Sequence, residues 1–184
     1  MAHKSKATAL SSVSSDSSTL DPSIKSTRNL SKMQKGPIKV YALGLYGSSD
    51  AFDAADEASL WDKLRLSKSG SAKGIICVLT FKVSAQKMSG ALIDSLKPRF
   101  KGPSSALDDL SSKIVDGCSG GGGKGTVFEF LCQDKNKIKV SVNGNDQGVV
   151  EASNIGGAFA DIYLDEKGVS PTLKDNIMKR WKGE

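Results

Sequence analysis

The stretch "KIKVSVNGNDQGVV" (137–150) sets the fold class. Ile138, Val140 and Val142 recur every second residue, the period of a strand with one buried face. Asn143-Gly144 then supplies the pair that a two-residue hairpin requires, because both central positions of a type I′ turn need positive φ. The chain must return antiparallel through "QGVV". Just upstream, "TVFEFLC" (126–132) reads as another strand that feeds this hairpin.

Further upstream, "KVYALGLYG" (39–47) alternates with period two, which puts Tyr41, Leu43 and Leu45 on one face and Val40, Ala42, Gly44 and Tyr46 on the other. The Gly36-Pro37 break sets a strand over 38–46. An apolar run, "GIICVLTF" (74–81), lies in a buried strand over 74–83. Tyr41 shares a face with two leucines, so its hydroxyl needs a partner. Burying that group unpaired costs roughly 1–3 kcal/mol. A core carbonyl and a bound ligand both meet the requirement.

Helical periodicity fills the intervals. "DAFDAADEASLWDKLRL" (50–66) spaces Phe52, Leu60, Trp61 and Leu64 on one side, with its acids early, as the helix dipole favours. After Ser84, Met88, Leu92 and Leu96 recur every fourth residue up to Pro98. Ser105 to Val115 presents Leu107, Leu110 and Ile114. Two more helices close the chain: "SNIGGAFADIYLDEKG", and "SPTLKDNIMKRW" with Ser at the N-cap and Pro at N1. Antiparallel strands with segregated helices define an α+β domain.

The net charge of +6 is uneven. Six basic and two acidic residues fall in 1–36, which leaves 37–184 close to neutral. No basic stripe interleaved with aromatics is present, so a nucleic-acid partner is not expected. No run of about 18 apolar residues exists, so no membrane span is expected. Cys77, Cys118 and Cys132 lack metal-ligand spacing, and the one histidine, His3, lies in a polar segment. Neither a zinc site nor His-dependent catalysis fits. Reduced core thiols in an intracellular compartment follow.

"CSGGGGKGT" (118–126) imitates a phosphate loop and fails in detail. Cys118 stands where the first glycine belongs and Gly125 where Ser or Thr belongs, and strands follow instead of a helix. It reads as a linker. Residues 1–27 are Ser- and Lys-rich without apolar periodicity, which describes either a disordered tail or an organelle transit peptide. The domain is expected over 28–184.

Three segments in register, "VYALGLY" (40–46), "KVSVNGNDQGVVEA" (139–152) and "FADIYLDEKGVSP" (159–171), resemble the chalcone isomerase fold over residues 28–182. The resemblance implies an open-faced antiparallel sheet packed against a layer of helices. It also implies one of three activities: a flavonoid-forming intramolecular lyase, a noncatalytic auxiliary partner of a biosynthetic enzyme, or a fatty-acid binder of cytoplasm or plastid. No cofactor is implied, and oligomeric state is left open.

Carried over residue by residue, the family arginine corresponds to Arg28. The first isomerase threonine corresponds to Tyr41, which is the choice of the fatty-acid binders. The catalytic tyrosine falls at Met88, the asparagine at Ser95 and the later Ser/Thr at Ile162. The resemblance therefore points to the noncatalytic fatty-acid-binding branch. It implies that Arg28 and Tyr41 hold the carboxylate of a fatty acid or other small amphipathic anion, with Leu43, Met88 and Ile162 as apolar walls. A guanidinium fork and a phenol suit a carboxylate chemically. Solvation of Arg28, and a core carbonyl as the partner of Tyr41, are the competing readings.

Overall fold

A computed structural model describes residues 29–35, 38–47, 52–65, 73–79, 82–118 and 122–183. The expectations for the tail, 1–27, and for Arg28 lie outside these residues. Six strands form one sheet: β1 (Asn29–Lys35), β2 (Ile38–Gly47), β3 (Lys73–Leu79), β4 (Val127–Asp134), β5 (Lys137–Val142) and β6 (Asn145–Glu151). The described helices are α1 (Glu57–Leu64), α2 (Ala85–Leu96), α3 (Ser104–Gly117), α4 (Ile155–Leu164) and α5 (Pro171–Trp181). Strand order in space equals order in the chain, and every neighbouring pair is antiparallel. This is the α+β architecture expected from the sequence.

The hairpin that set the class forms as read. Asn143 (φ 51°) and Gly144 (φ 80°) occupy the two turn positions, and Val142 pairs with Asn145. Along β5, Ile138, Val140 and Val142 are buried while their alternates are half-exposed. Phe128, Phe130 and Cys132 do the same on β4. That common face receives the helices. The Phe159 ring of α4 lies 4.8 Å from that of Phe130, and Tyr163 follows 6.0 Å beyond it.

Several boundaries differ from the sequence reading. The 50–66 helix begins only at Glu57, because the Asp56 side chain accepts from the backbone N–H of Ser59 (2.7 Å) and caps it there. The 74–83 strand ends at Leu79. No strand signal marks β1, which brings the sheet to six strands, because the two apolar residues of "NLSKMQK" give no alternation, yet β1 pairs along β2 from Asn29↔Leu45 to Lys35↔Ile38. Ser170 sits at the N-cap of α5 but makes no capping bond. Its buried Oγ has no hydrogen-bond partner among the described residues. Asn154 precedes α4 in the left-handed region (φ 61°), and no side-chain cap forms there either.

The start of α4 is satisfied differently. The N–H groups of Gly156 and Gly157 both donate to the carbonyl of Lys135, in the β4–β5 turn (2.9 and 3.2 Å). Such closeness leaves no room for a side chain, and a Cβ on Gly156 would collide with the carbonyl of Asp134. The other end of α4 is tied by Arg99, just past α2. Its guanidinium donates to both carboxylate oxygens of Asp165 (2.8 and 3.1 Å) and to the carbonyls of Ser95 (2.7 Å) and Lys167 (3.1 Å).

Two outcomes follow from these ties. Gly156→Ala should destabilise the protein by about 2–3 kcal/mol, since the obstacle is backbone that cannot rotate away; the urea midpoint measures it. Burial alone would raise the Asp165 pKa, but the Arg99 hydrogen bonds and charge outweigh it and hold the carboxyl below the usual range. A depressed carboxylate contributes stability above its ordinary pKa and loses it as pH falls through the folded value. Arg99→Ala should therefore cost about 2 kcal/mol at pH 7, and the difference from wild type should shrink below about pH 4. Paired urea titrations at pH 7 and pH 3 test the sign.

Candidate functional site

A cavity of about 740 Å³ opens between the sheet and the helices bordering α2 and α4, within the range of roughly 300–1,000 Å³ typical of ligand pockets. Tyr41 of β2 contributes from the sheet, across from Leu79 of β3 and Met33 of β1. Ile162 and Tyr163 come from α4. Val169 is placed by its N–H bond to the carbonyl of Ile162 (2.8 Å). Most of the wall is one flank of α2: Lys87, Met88, Ala91, Leu92, Asp94 and Ser95, with Val83 just before it. Residues three and four apart share a helix face, so these six form two adjacent stripes.

Of the residues singled out from the sequence, Tyr41, Met88, Ser95 and Ile162 meet in this cavity. Leu43 lies on the Tyr41 side of β2 but is wholly enclosed in the core and does not line it. Arg28 is outside the described residues. The strand that follows it begins opposite Leu45, four residues along β2 from Tyr41. Ser95 spends its hydroxyl proton on the carbonyl of Ala91 (2.8 Å), a bond within its own helix, which leaves only lone pairs for a ligand.

Three polar lining residues were not anticipated. Lys87 and Asp94 hide in an ordinary helical pattern, and Tyr163 lies in a helix buried all round. Since nine of ten residues of α4 are buried, no periodicity marks which of them faces a cavity. Asp94 is neutralised by Lys97 (3.1 Å). Tyr163 is 2% exposed, and the described residues offer its hydroxyl no hydrogen bond.

Burial dominates the electrostatics of the floor. It lifts the Tyr41 phenol above its ordinary range, with a smaller contribution from Cys77. It also lifts Tyr163 well above its ordinary value, aided by Cys77, Tyr41 and Cys132, and it pushes the Cys77 thiol up to about 12. Both phenols are therefore neutral donors at physiological pH, and Cys77 is an inert core thiol. Among the described residues, no cluster of His, Cys, Asp and Glu is arranged to hold a metal ion. None of their helices is long and apolar enough to cross a membrane. Chemically the cavity can accept an apolar body and donate hydrogen bonds to an oxygen.

The crystal structure of a fatty-acid binding protein from Arabidopsis thaliana, AtFAP1, superposes with a TM-score of 0.65. The match covers 88% of this chain and 90% of that one at 17% identity, a likeness of fold. No curated protein matches the sequence. The family model described as chalcone isomerase-like matches residues 31–179, from the first strand to the last helix. The chain belongs to the chalcone isomerase-like family.

Proposed function

We propose that this protein binds a fatty acid or similar amphipathic carboxylate and does not transform it. The observation that carries the reading is a cavity whose walls include Met88, Leu92, Ile162 and Val169, with two neutral phenols in the same lining. An acyl chain fills such walls without directed contacts, and methionine adapts to varied chain shapes. The fold shared with a protein described as fatty-acid binding agrees with this. Tyr41 is assigned to the carboxylate, and Arg28 is assigned as a countercharge supplied from the sequence before β1. The binding domain is assigned to 28–184, in the cytoplasm or a plastid.

The same cavity argues against cyclisation of a chalcone. Stabilising the enolate that such a reaction develops needs preorganised donors, and two positions that carry donors in the isomerases present Met88 and Ile162. Losing one such donor typically costs on the order of 10²–10³-fold in rate. Loss of the chalcone absorbance should therefore proceed at the spontaneous rate with or without protein; protein-dependent turnover would overturn the binding-only reading.

Titration calorimetry with laurate and methyl laurate tests binding directly. Wild type should bind laurate more tightly than its ester. Arg28→Ala should weaken laurate binding by about 10-fold or more, and Tyr41→Phe by less, because the phenylalanine keeps the ring. Unchanged laurate affinity in Arg28→Ala would place that arginine outside the site, and absence of laurate binding by wild type would sink the reading.

A further inference from the structure

The cavity carries a cation of its own. Among the described residues, Lys87 is the one basic residue lining it, and the one lining acid among them, Asp94, is paired with Lys97. No ion pair of the Lys87 amine is formed among the described residues. Its position is unusual electrostatically. Lys87 falls in the first turn of α2, where the helix dipole is positive, and no acid accompanies it there. By contrast, α1 places Asp56 and Glu57 at its own start. A lysine in that place raises the positive potential facing the cavity without an internal anion to offset it. The Ser84 side chain accepts from the backbone N–H of Lys87 itself (3.3 Å), so the N–H groups of Ala85 and Gln86 remain outside that cap.

A second observation is independent of the helix. Tyr163 faces the same cavity from α4, nearly wholly buried, with its hydroxyl unbonded among the described residues. Among the described residues only the Ser170 Oγ is an enclosed polar atom without a partner, so the unbonded Tyr163 hydroxyl borders the open space of the cavity, where an acceptor on a bound molecule can meet it. An amine at the rim, a helix N-terminus beside it and a buried O–H donor together suit one acceptor group bearing negative charge.

We propose that Lys87 and Tyr163 read the ligand's carboxylate: Lys87 supplies a countercharge from the cavity's exposed edge, whatever Arg28 adds, and Tyr163 donates a hydrogen bond from the opposing wall. The assignment rests on the binding function proposed above. It makes α2 both the apolar wall, through Met88 and Leu92, and the source of selectivity for anions over neutral lipids.

Calorimetry on the full chain separates the two levels. Lys87→Gln should lower laurate affinity about 10-fold and leave methyl laurate affinity unchanged, and Lys87→Arg should restore laurate binding to within about threefold. Raising the salt concentration should weaken laurate binding to wild type more than to Lys87→Gln, since the charge sits at an exposed rim. Tyr163→Phe should also weaken laurate binding severalfold while the Tm of the unliganded protein stays level, because the ring keeps its packing and the hydroxyl makes no bond among the described residues. Unchanged laurate affinity in Lys87→Gln, or an equal loss for acid and ester, overturns the role of Lys87 while the binding function stands. A lowered Tm with unchanged affinity in Tyr163→Phe overturns the role of Tyr163. If wild type binds neither laurate nor its ester, this assignment falls together with the function it rests on.

Discussion

Everything in this molecule depends on α4 staying seated on the sheet. Its Phe159 ring meets Phe130 at 4.8 Å, and nine of its ten residues are buried, so it is less a covering helix than a pillar inside the core. Such a helix cannot rotate to relieve a misfit, because every side faces packed atoms. Its two ends are fixed by polar contacts of different kinds. Backbone amides meet the Lys135 carbonyl at one end, and the Arg99 fork holds Asp165 at the other. The cavity exists between α4 and α2 because the Arg99 tie keeps these helices joined near their ends while side chains of modest length leave the space between them open.

The legibility of this arrangement was uneven. Strands with one dry face announced themselves: β4 and β5 alternate as written, and the Asn-Gly turn fell where positive φ was needed. Helices with one apolar stripe, α2 and α3, were equally plain. β1 was not, because "NLSKMQK" has no alternation and gains its pairing from the partner strand β2 and not from its own pattern. Cap positions were legible but cap bonds were not: Ser170 stands at the N-cap of α5 with Pro171 following, and Asn154 at that of α4, yet neither side chain makes a capping bond.

The cavity was legible mainly where a family resemblance supplied positions. Tyr41 was marked by its own strand pattern as well, whereas Met88, Ser95 and Ile162 came from the resemblance alone, and all four line one space. Lys87 and Tyr163 had no local signal. A lysine on a helix is ordinary in sequence, and its meaning appears only once the face it occupies is known to border an apolar hollow. Tyr163 stands beside Ile162 in a helix without polarity of pattern, so sequence gives no way to tell a phenol wedged in the core from one open to a hollow.

The meander order of the strands has a bearing on synthesis. No strand needs to be inserted between two already paired neighbours, so the sheet can grow outward from β1 as the chain emerges. Its apolar face, however, waits for α4, which comes after the last strand. A nascent or truncated chain ending at Glu151 would display Phe128, Phe130, Val140 and their neighbours to solvent or to a chaperone with no pillar to cover them. The final thirty residues or so thus act as the closing plug of the domain, and frameshifts or proteolysis there would be read by the cell as misfolding, even though every strand precedes the break.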